Sequence, residues 1–200
     1  VRSFNNLYGK TLVEPKELLP ENNTCSRLPG IDGKAKMSKS LGNCIYLSDE
    51  PDVIRKKVMS MFTDPNHLRV EDPGNTKNNP VFIYLEAFCK DEHFEKYLPE
   101  YKNLNELKKH YEKGGLGDVK IKKFLNNILQ EELEPIRKRR KKFEKYIPDV
   151  YKILKDGSEK AREKASQKMI EVKNAMGINY FEDLSLIEQQ IEKYSYSSFE

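Results

Sequence analysis

The sequence predicts a mainly α-helical protein. Three observations carry that expectation. After Ser48 the apolar residues recur every three or four positions along almost the whole chain, the spacing of one buried helix face. Alternating apolar and polar segments are few and short. Hydrophobic residues make up 37% of the chain and charged residues 34%, a balance suited to an elongated helical protein with much solvated surface.

The elements follow in order. Val1 to Tyr8 reads as the end of an amphipathic helix, with Val1, Phe4 and Leu7 on one face and Gly9 as its stop. Thr11 to Pro15 reads as a short strand around Leu12-Val13, and Ile45-Tyr46 as a second. A Pro- and Asn-rich stretch lies between them. Ser48 is placed to cap a helix that buries Val53, Ile54, Val58, Met61 and Phe62, and Asp64-Pro65 ends it. A loop dense in Pro, Asn and Gly runs to Pro80. The helix after it carries Val81, Phe82, Tyr84, Leu85 and Phe88. Asn103 opens a helix that Gly114-Gly115 terminates.

The longest helix is predicted from Asp118 to about Tyr146, on Ile121, Phe124, Leu125, Ile128, Leu129, Leu133, Ile136 and Phe143. Pro135 lies inside it and is expected to kink it. Pro148 then separates it from a short helix ending at Gly157. Ser158 caps another helix, in which Ala161, Ala165, Met169, Val172 and Met176 form a narrow stripe that Gly177 closes. One more helix is expected on Leu186, Ile187, Ile191 and Tyr194, before a Tyr- and Ser-rich end.

Bulk composition excludes more than it identifies. The net charge is +4, from 36 basic and 32 acidic residues, too mild to announce nucleic-acid binding by itself. Cys25, Cys44 and Cys89 are odd in number and far apart, so neither a disulfide framework nor a zinc site is indicated, and no metal ligand set is expected. A reducing, cytoplasmic compartment follows from that cysteine usage. No apolar run approaches the roughly 20 residues of a membrane span. The chain starts Val1-Arg2-Ser3-Phe4, without methionine or a signal peptide, which suggests that it begins inside a longer one.

The stretch with the most chemistry is Lys36-Met37-Ser38-Lys39-Ser40, set in Asp32-Gly33-Lys34-Ala35 and Leu41-Gly42-Asn43. Each lysine is a compact point charge on a flexible stem with three donors. Two of them on one loop can follow a polyphosphate as charge moves from the α-phosphate to departing pyrophosphate. Gly30, Gly33 and Gly42 let such a loop close. Lys36 and Lys39 are therefore candidate phosphate contacts. Met37, Ser38 and Ser40 join them as candidate ATP contacts, and Leu28 upstream offers an apolar surface and a backbone group to adenine.

Two further groups are candidates for RNA. In the run Arg137-Lys138-Arg139-Arg140-Lys141-Lys142, consecutive helical residues point all round the helix, so most of them are solvated face. A subset, Arg137, Arg140 and Lys141, is placed to track phosphates. In the turn Thr63-Asp64-Pro65-Asn66-His67, Asp64 and His67, with Arg69, could read an unstacked base edge. The competing role for Thr63 and Asp64 is simply to end the helix. His67, His93 and His110 are isolated in sequence, and none is assigned to metal or acid–base work.

The lysine loop resembles the signature loop of class I aminoacyl-tRNA synthetases, and that resemblance makes Lys36 and Lys39 the candidate catalytic residues. The likeness extends to the bacterial-type tryptophanyl-tRNA synthetase family over Arg2 to about Gly177. It rests on Phe4 to Gly9 with Val13-Glu14-Pro15, Lys57 to Pro65, Tyr111 to Gly117, Leu133 to Arg137, Asp156 to Ala161 and Ala175-Met176-Gly177, in family order. The resemblance implies an enzyme that activates L-tryptophan with ATP, Mg2+ entering with the nucleotide, and charges tRNA(Trp). It implies a homodimer. It implies that residues 1–47 are the C-terminal end of a Rossmann-type nucleotide-binding domain and that 48–148 form a helical anticodon-binding bundle. Helices of 149–177 are then expected to pack back on the nucleotide fold, and 178–200 to be an appendage. The family's His-x-Gly signature and tryptophan pocket have no match here, so the chain is expected to be a C-terminal half, inactive alone. A non-catalytic tRNA-binding module that kept the loop, and a class I relative for tyrosine, are the alternatives.

Overall fold

A computed structural model describes residues 1–20 and 27–195. Cys25 lies outside the described residues, as does the end of the chain after Ser195. Among the described residues there are eight helices: α1 (Arg2–Tyr8), α2 (Pro51–Met59), α3 (Pro80–Phe88), α4 (Asp91–Tyr97), α5 (Leu104–Lys113), α6 (Asp118–Glu144), α7 (Ile147–Met176) and α8 (Leu184–Ser195). The mainly helical expectation holds.

The two expected strands do not form. Among the described residues the only pairing of extended chain is an isolated antiparallel bridge between Pro29 and Lys36. At Leu12 a side chain takes the place of a neighbouring strand. The Asn5 amide accepts from the Leu12 N–H at 2.9 Å and donates to the Leu12 carbonyl at 2.7 Å. At Tyr46 the backbone N–H donates to the Asp49 carboxylate at 2.9 Å, which closes a turn rather than a ladder.

The chain resolves into two compact units, Leu18–Lys145 and Val1–Glu17 with the chain from Tyr146 onward. The first contains α2 to α6, with α6 packed against α2, α3 and α4. Its core joins Ile54 and Val58 of α2, Phe82 and Leu85 of α3, Phe94 of α4, Leu107 and Tyr111 of α5, and Phe124, Leu125 and Ile128 of α6. Asn79 caps α3 by accepting from the Val81 N–H at 3.1 Å, and Asn103 caps α5 by accepting from the Glu106 N–H at 3.0 Å. Both residue types suit that position because a short side-chain oxygen satisfies a first-turn donor.

Several boundaries differ from expectation for local reasons. Glu50, not Ser48, caps α2, because Pro51 suits the first helical position and needs no N–H there. The Val53 and Phe62 side chains, expected inside, are about 40% exposed (40% and 42%). The short helix α4 was not foreseen. Its apolar signal is thin, and its start is fixed by the Lys90 N–H donating to the His93 ring at 3.0 Å. Pro135 sits within α6 without ending it.

In the second unit, α7 runs unbroken through Gly157, where a short helix was expected to end and Ser158 to cap another. The break expected near Pro148 is present: α6 ends at Glu144, α7 begins at Ile147, and Pro148 falls in the first turn, where a missing N–H costs nothing. Gly157 lies in its interior, a penalty of about 1 kcal/mol that a long helix absorbs. None of the residues of α1, α7 or α8 is buried. The expected stripe on α7 is uncovered, with Met169 49% and Met176 37% exposed. Within this unit the Lys168 ammonium donates to the Thr11 carbonyl at 3.1 Å, tying α7 to the segment after α1.

Candidate functional site

The lysine loop is built into the first unit from below. The Phe62 N–H donates to the Ile31 carbonyl at 2.8 Å, and the Tyr84 hydroxyl donates to the Pro29 carbonyl at 2.8 Å. Burial raises the Tyr84 phenol, so it remains a donor at any ordinary pH. Gly33 has φ +68°, and a Cβ there would lie 2.9 Å from the Phe62 ring, so the loop can settle on Phe62 only with glycine at this point. These anchors come from α3 and from the turn after α2.

Inside the loop the hub is Asn43, 4% exposed. Its Oδ1 accepts from the Ser38 N–H at 2.8 Å. Its Nδ2 donates to Asp32 Oδ1 at 3.1 Å and to the Lys36 carbonyl at 3.3 Å. Its own carbonyl accepts from the Ile31 N–H at 2.9 Å. The amide orientation is set by the network, since only the oxygen can meet the Ser38 N–H. The Ser38 and Ser40 hydroxyls lie 2.8 Å apart. The sequence reading missed Asn43, whose signal was only its place after the motif.

Lys36 and Lys39 are both exposed. Neither belongs to a recorded ion pair among the described residues. Leu28 and Lys36 come together on one cleft of about 340 Å³, with Arg27, Pro29, Lys34 and Ile83. Met37 is half-buried and packs against the core. Lys39 and Ser40 stand away from that cleft on the outer turn, which the Gly42 N–H closes on the Lys39 carbonyl at 3.2 Å. The loop thus presents cations held by a neutral and anionic undercarriage, an arrangement suited to phosphate oxygens.

The RNA candidates scatter. Arg69 is exposed, its N–H donating to the Asp72 carboxylate at 2.8 Å. Asp64 is half-buried and accepts from the N–H groups of Asn66 at 2.9 Å and Asn75 at 2.8 Å. The His67 side chain is 2% exposed and turned inward. Arg140 pairs with Glu144 at 2.9 Å, and Lys141 with Glu50 at 3.1 Å. Arg137 is buried, its guanidinium donating to the Gln130 side chain at 3.0 Å.

His67 belongs instead to a partly buried knot around Asp118. Thr63 Oγ1 donates to Asp118 Oδ2 at 2.5 Å, while the Tyr111 hydroxyl at 2.8 Å and His67 Nδ1 at 3.0 Å meet Oδ1. A carboxylate only accepts, so His67 Nδ1 carries the hydrogen. Burial pushes the Asp118 carboxyl up, but the two hydroxyls and the imidazole outweigh it and leave it below the ordinary aspartate value. Burial first, then the bond to Asp118, raises the Tyr111 phenol. The knot ties the turn after α2 to the end of α5 and the start of α6. Fifty-one positions separate His67 from Asp118, so local sequence carries no sign of the contact. Among the described residues no three His, Cys, Asp or Glu side chains are grouped to hold a metal ion, and no helix is long and apolar enough to cross a membrane. Burial pushes the Cys89 thiol up to about 12, which leaves it unreactive.

Comparison with known proteins adds the family. The model described as tRNA synthetases class I (W and Y) matches residues 1–134. A tryptophan–tRNA ligase of Clostridium longisporum is 61% identical over 185 residues, covering 92% of this chain and 51% of that protein. One from Streptococcus pyogenes is 53% identical over 182 residues, covering 90% and 52%. The crystal structure of tryptophanyl-tRNA synthetase from Campylobacter jejuni, complexed with ADP and tryptophan, matches with a TM-score of 0.62 at 27% identity, covering 88% of this chain and 50% of that one. The chain spans about half the length of the curated relatives it matches.

Proposed function

The chain belongs to the class I tRNA synthetases for tryptophan and tyrosine, and we propose that it supplies the ATP-phosphate loop and the tRNA-binding helices of a ligase that joins tryptophan to tRNA(Trp). The observation that carries the reading is the lysine loop: two exposed ammonium groups, without recorded acid partners among the described residues, on a loop anchored to a packed helical unit. Lys36 and Lys39 contact the phosphates, and Lys39 neutralises charge that develops on pyrophosphate. Ser38 and Ser40 add hydroxyl contacts, Met37 seats the loop on the core, and Leu28 borders adenine. Mg2+ arrives with ATP as part of the substrate.

In this reading residues 1–47 close a Rossmann-type catalytic domain, 48–148 are the anticodon-binding bundle, 149–177 return toward the catalytic domain and 178–200 are an appendage. RNA phosphates meet two separate groups of exposed cations: Arg69, at the turn that holds Asp64, and Arg140 with Lys141 near the end of α6. His67 beside the first and Arg137 beside the second act as supports. A homodimer in the cytoplasm fits the family. The 53–61% identity to tryptophan–tRNA ligases favours tryptophan over tyrosine.

The test is amino-acid-dependent ATP–pyrophosphate exchange by the whole protein that carries this chain, with tryptophan and tyrosine compared. Exchange with tryptophan alone supports the reading, and exchange with tyrosine alone replaces it. The 200 residues by themselves are expected to show no exchange and weak tRNA binding that falls steeply with salt, because cationic contacts release counterions. Absence of tRNA binding at low salt by the folded chain would overturn the anticodon-bundle assignment.

A further inference from the structure

We infer that Asn43 is the positioning residue of the lysine loop: its side chain sets where Lys36 and Lys39 stand, and thereby governs the rate of the step they serve. The inference rests on the ATP-phosphate reading of that loop and adds a residue outside the lysine motif itself.

The geometry is that of a clamp. One buried amide uses its acceptor on the Ser38 N–H and its donor on both Asp32 Oδ1 and the Lys36 carbonyl. The backbone of Asn43 holds Ile31 at the same time. The two sides of the loop are therefore tied to one side chain, and the tie grips the backbone at Lys36 and at Ser38, directly beside Lys39. No part of the clamp touches a lysine ammonium. Asn43 cannot contribute charge to a phosphate, so its action on chemistry has to run through the position of the lysines.

The seat is also specific to this residue. A Cβ on Gly30 would lie 2.2 Å from Asn43 Nδ2 and 2.5 Å from its Cγ, so the close approach of that backbone is what leaves room for the amide. Gly30 in turn is fixed by its N–H donating to the Ala35 carbonyl at 2.7 Å. Alanine at position 43 would leave the Ser38 N–H and the Lys36 carbonyl to water, and the loop would lose its cross-tie while the helical core beneath it stayed intact. Aspartate at 43 keeps an acceptor for Ser38 but sets a carboxylate against Asp32. Exchanging the two residues restores a donor facing an acceptor between positions 32 and 43 but leaves the Lys36 carbonyl without its donor. The swap therefore tests the 32–43 tie by itself.

A group whose displacement by about 1 Å disturbs reacting geometry can cost about 100-fold in rate. In the whole protein carrying this chain, Asn43→Ala should lower kcat of tryptophan-dependent ATP–pyrophosphate exchange by about 100-fold, with KM for tryptophan within about 2-fold of wild type, because the lysines act on charge present in the transition state. Gly30→Ala should reproduce that split by evicting the amide. Asn43→Asp should be as slow, and Asn43→Asp combined with Asp32→Asn should recover only part of the rate, since the Lys36 carbonyl stays without its donor. Unchanged kcat in Asn43→Ala, or a combined variant no faster than Asn43→Asp alone, would overturn the inference. Wild-type protein without exchange overturns the loop reading and this inference together, and that result is seen before any variant is made.

Discussion

The two compact units are built on opposite terms. In Leu18–Lys145 four short helices and the 27-residue α6 close on a continuous core, with Ile54, Leu85, Leu107, Leu125 and Ile128 fully buried. In the other unit, α7 is the longest helix of the described chain and buries nothing. Its Tyr151, Ile153, Leu154, Met169 and Ile170 are all about half exposed or more. The first unit is held by packing. In the second the ties are local, such as the left-handed cap at Gly177 and the ion pair of Lys168 with Glu171. The difference teaches where a functional loop can be mounted. A loop that has to place charge accurately needs a rigid base, and the lysine loop is anchored through Tyr84 and Phe62 to the packed unit.

The largest contrast should come from matched truncations. Leu125→Ala should destabilise the first unit by about 3 kcal/mol, the cost of emptying a filled core position. In the 200-residue chain, Met169→Ala in α7 should stay within about 0.5 kcal/mol. Denaturant unfolding of both variants checks the pair, and comparable losses would show that α7 is packed in solution.

A smaller effect is expected at the Asp118 knot. Asp118→Ala strands two hydroxyls and an imidazole, and should cost about 2 kcal/mol. The pH dependence has a definite sign. Because the folded carboxyl titrates below its ordinary value of about 3.9, its stabilisation is complete above that value and is lost as pH falls through the lower folded value. Unfolding midpoints measured from neutral to acid pH should fall less steeply in Asp118→Ala than in wild type. Parallel pH profiles would remove Asp118 from the account.

The smallest effect belongs to the basic run. Lys138 and Glu134 form an exposed pair one turn apart on α6, at 2.7 Å. Lys138→Ala should leave the denaturation midpoint unchanged, as solvent-screened pairs do. A clear downward shift would mean that this end of α6 is more tightly integrated than its exposure indicates.

How much of this was legible in the sequence follows the same division. Helices that bury a face were readable, because burial imposes a period: α3, α5 and α6 lie close to where Val81 to Phe88, Leu104 to Lys113 and Ile121 to Leu133 put them. The strands at Leu12 and Tyr46 were misread because the bonds that shape those segments come from the side chains of Asn5 and Asp49. The break before Pro148 was read correctly, but the one at Gly157 was not, because a glycine in a helix interior costs only about 1 kcal/mol and does not by itself end the helix. Of the candidate site, the lysines and Leu28 were singled out from residue chemistry together with the motif's likeness to a synthetase signature loop. Asn43 and the pairing of His67 with Asp118 were not, since both are contacts that exist only once the chain has folded.

The central claim is that Lys39 acts on charge developing in the transition state. The most direct measurement is the tryptophan-dependent ATP–pyrophosphate exchange rate of Lys39→Ala in the whole protein, beside its equilibrium binding of tryptophan. Losing one preorganised donor of this kind removes about 3 kcal/mol of transition-state stabilisation. Exchange should therefore fall by about 100-fold or more while tryptophan binding is retained. An exchange rate equal to wild type, or a loss explained entirely by weaker tryptophan binding, would contradict the account.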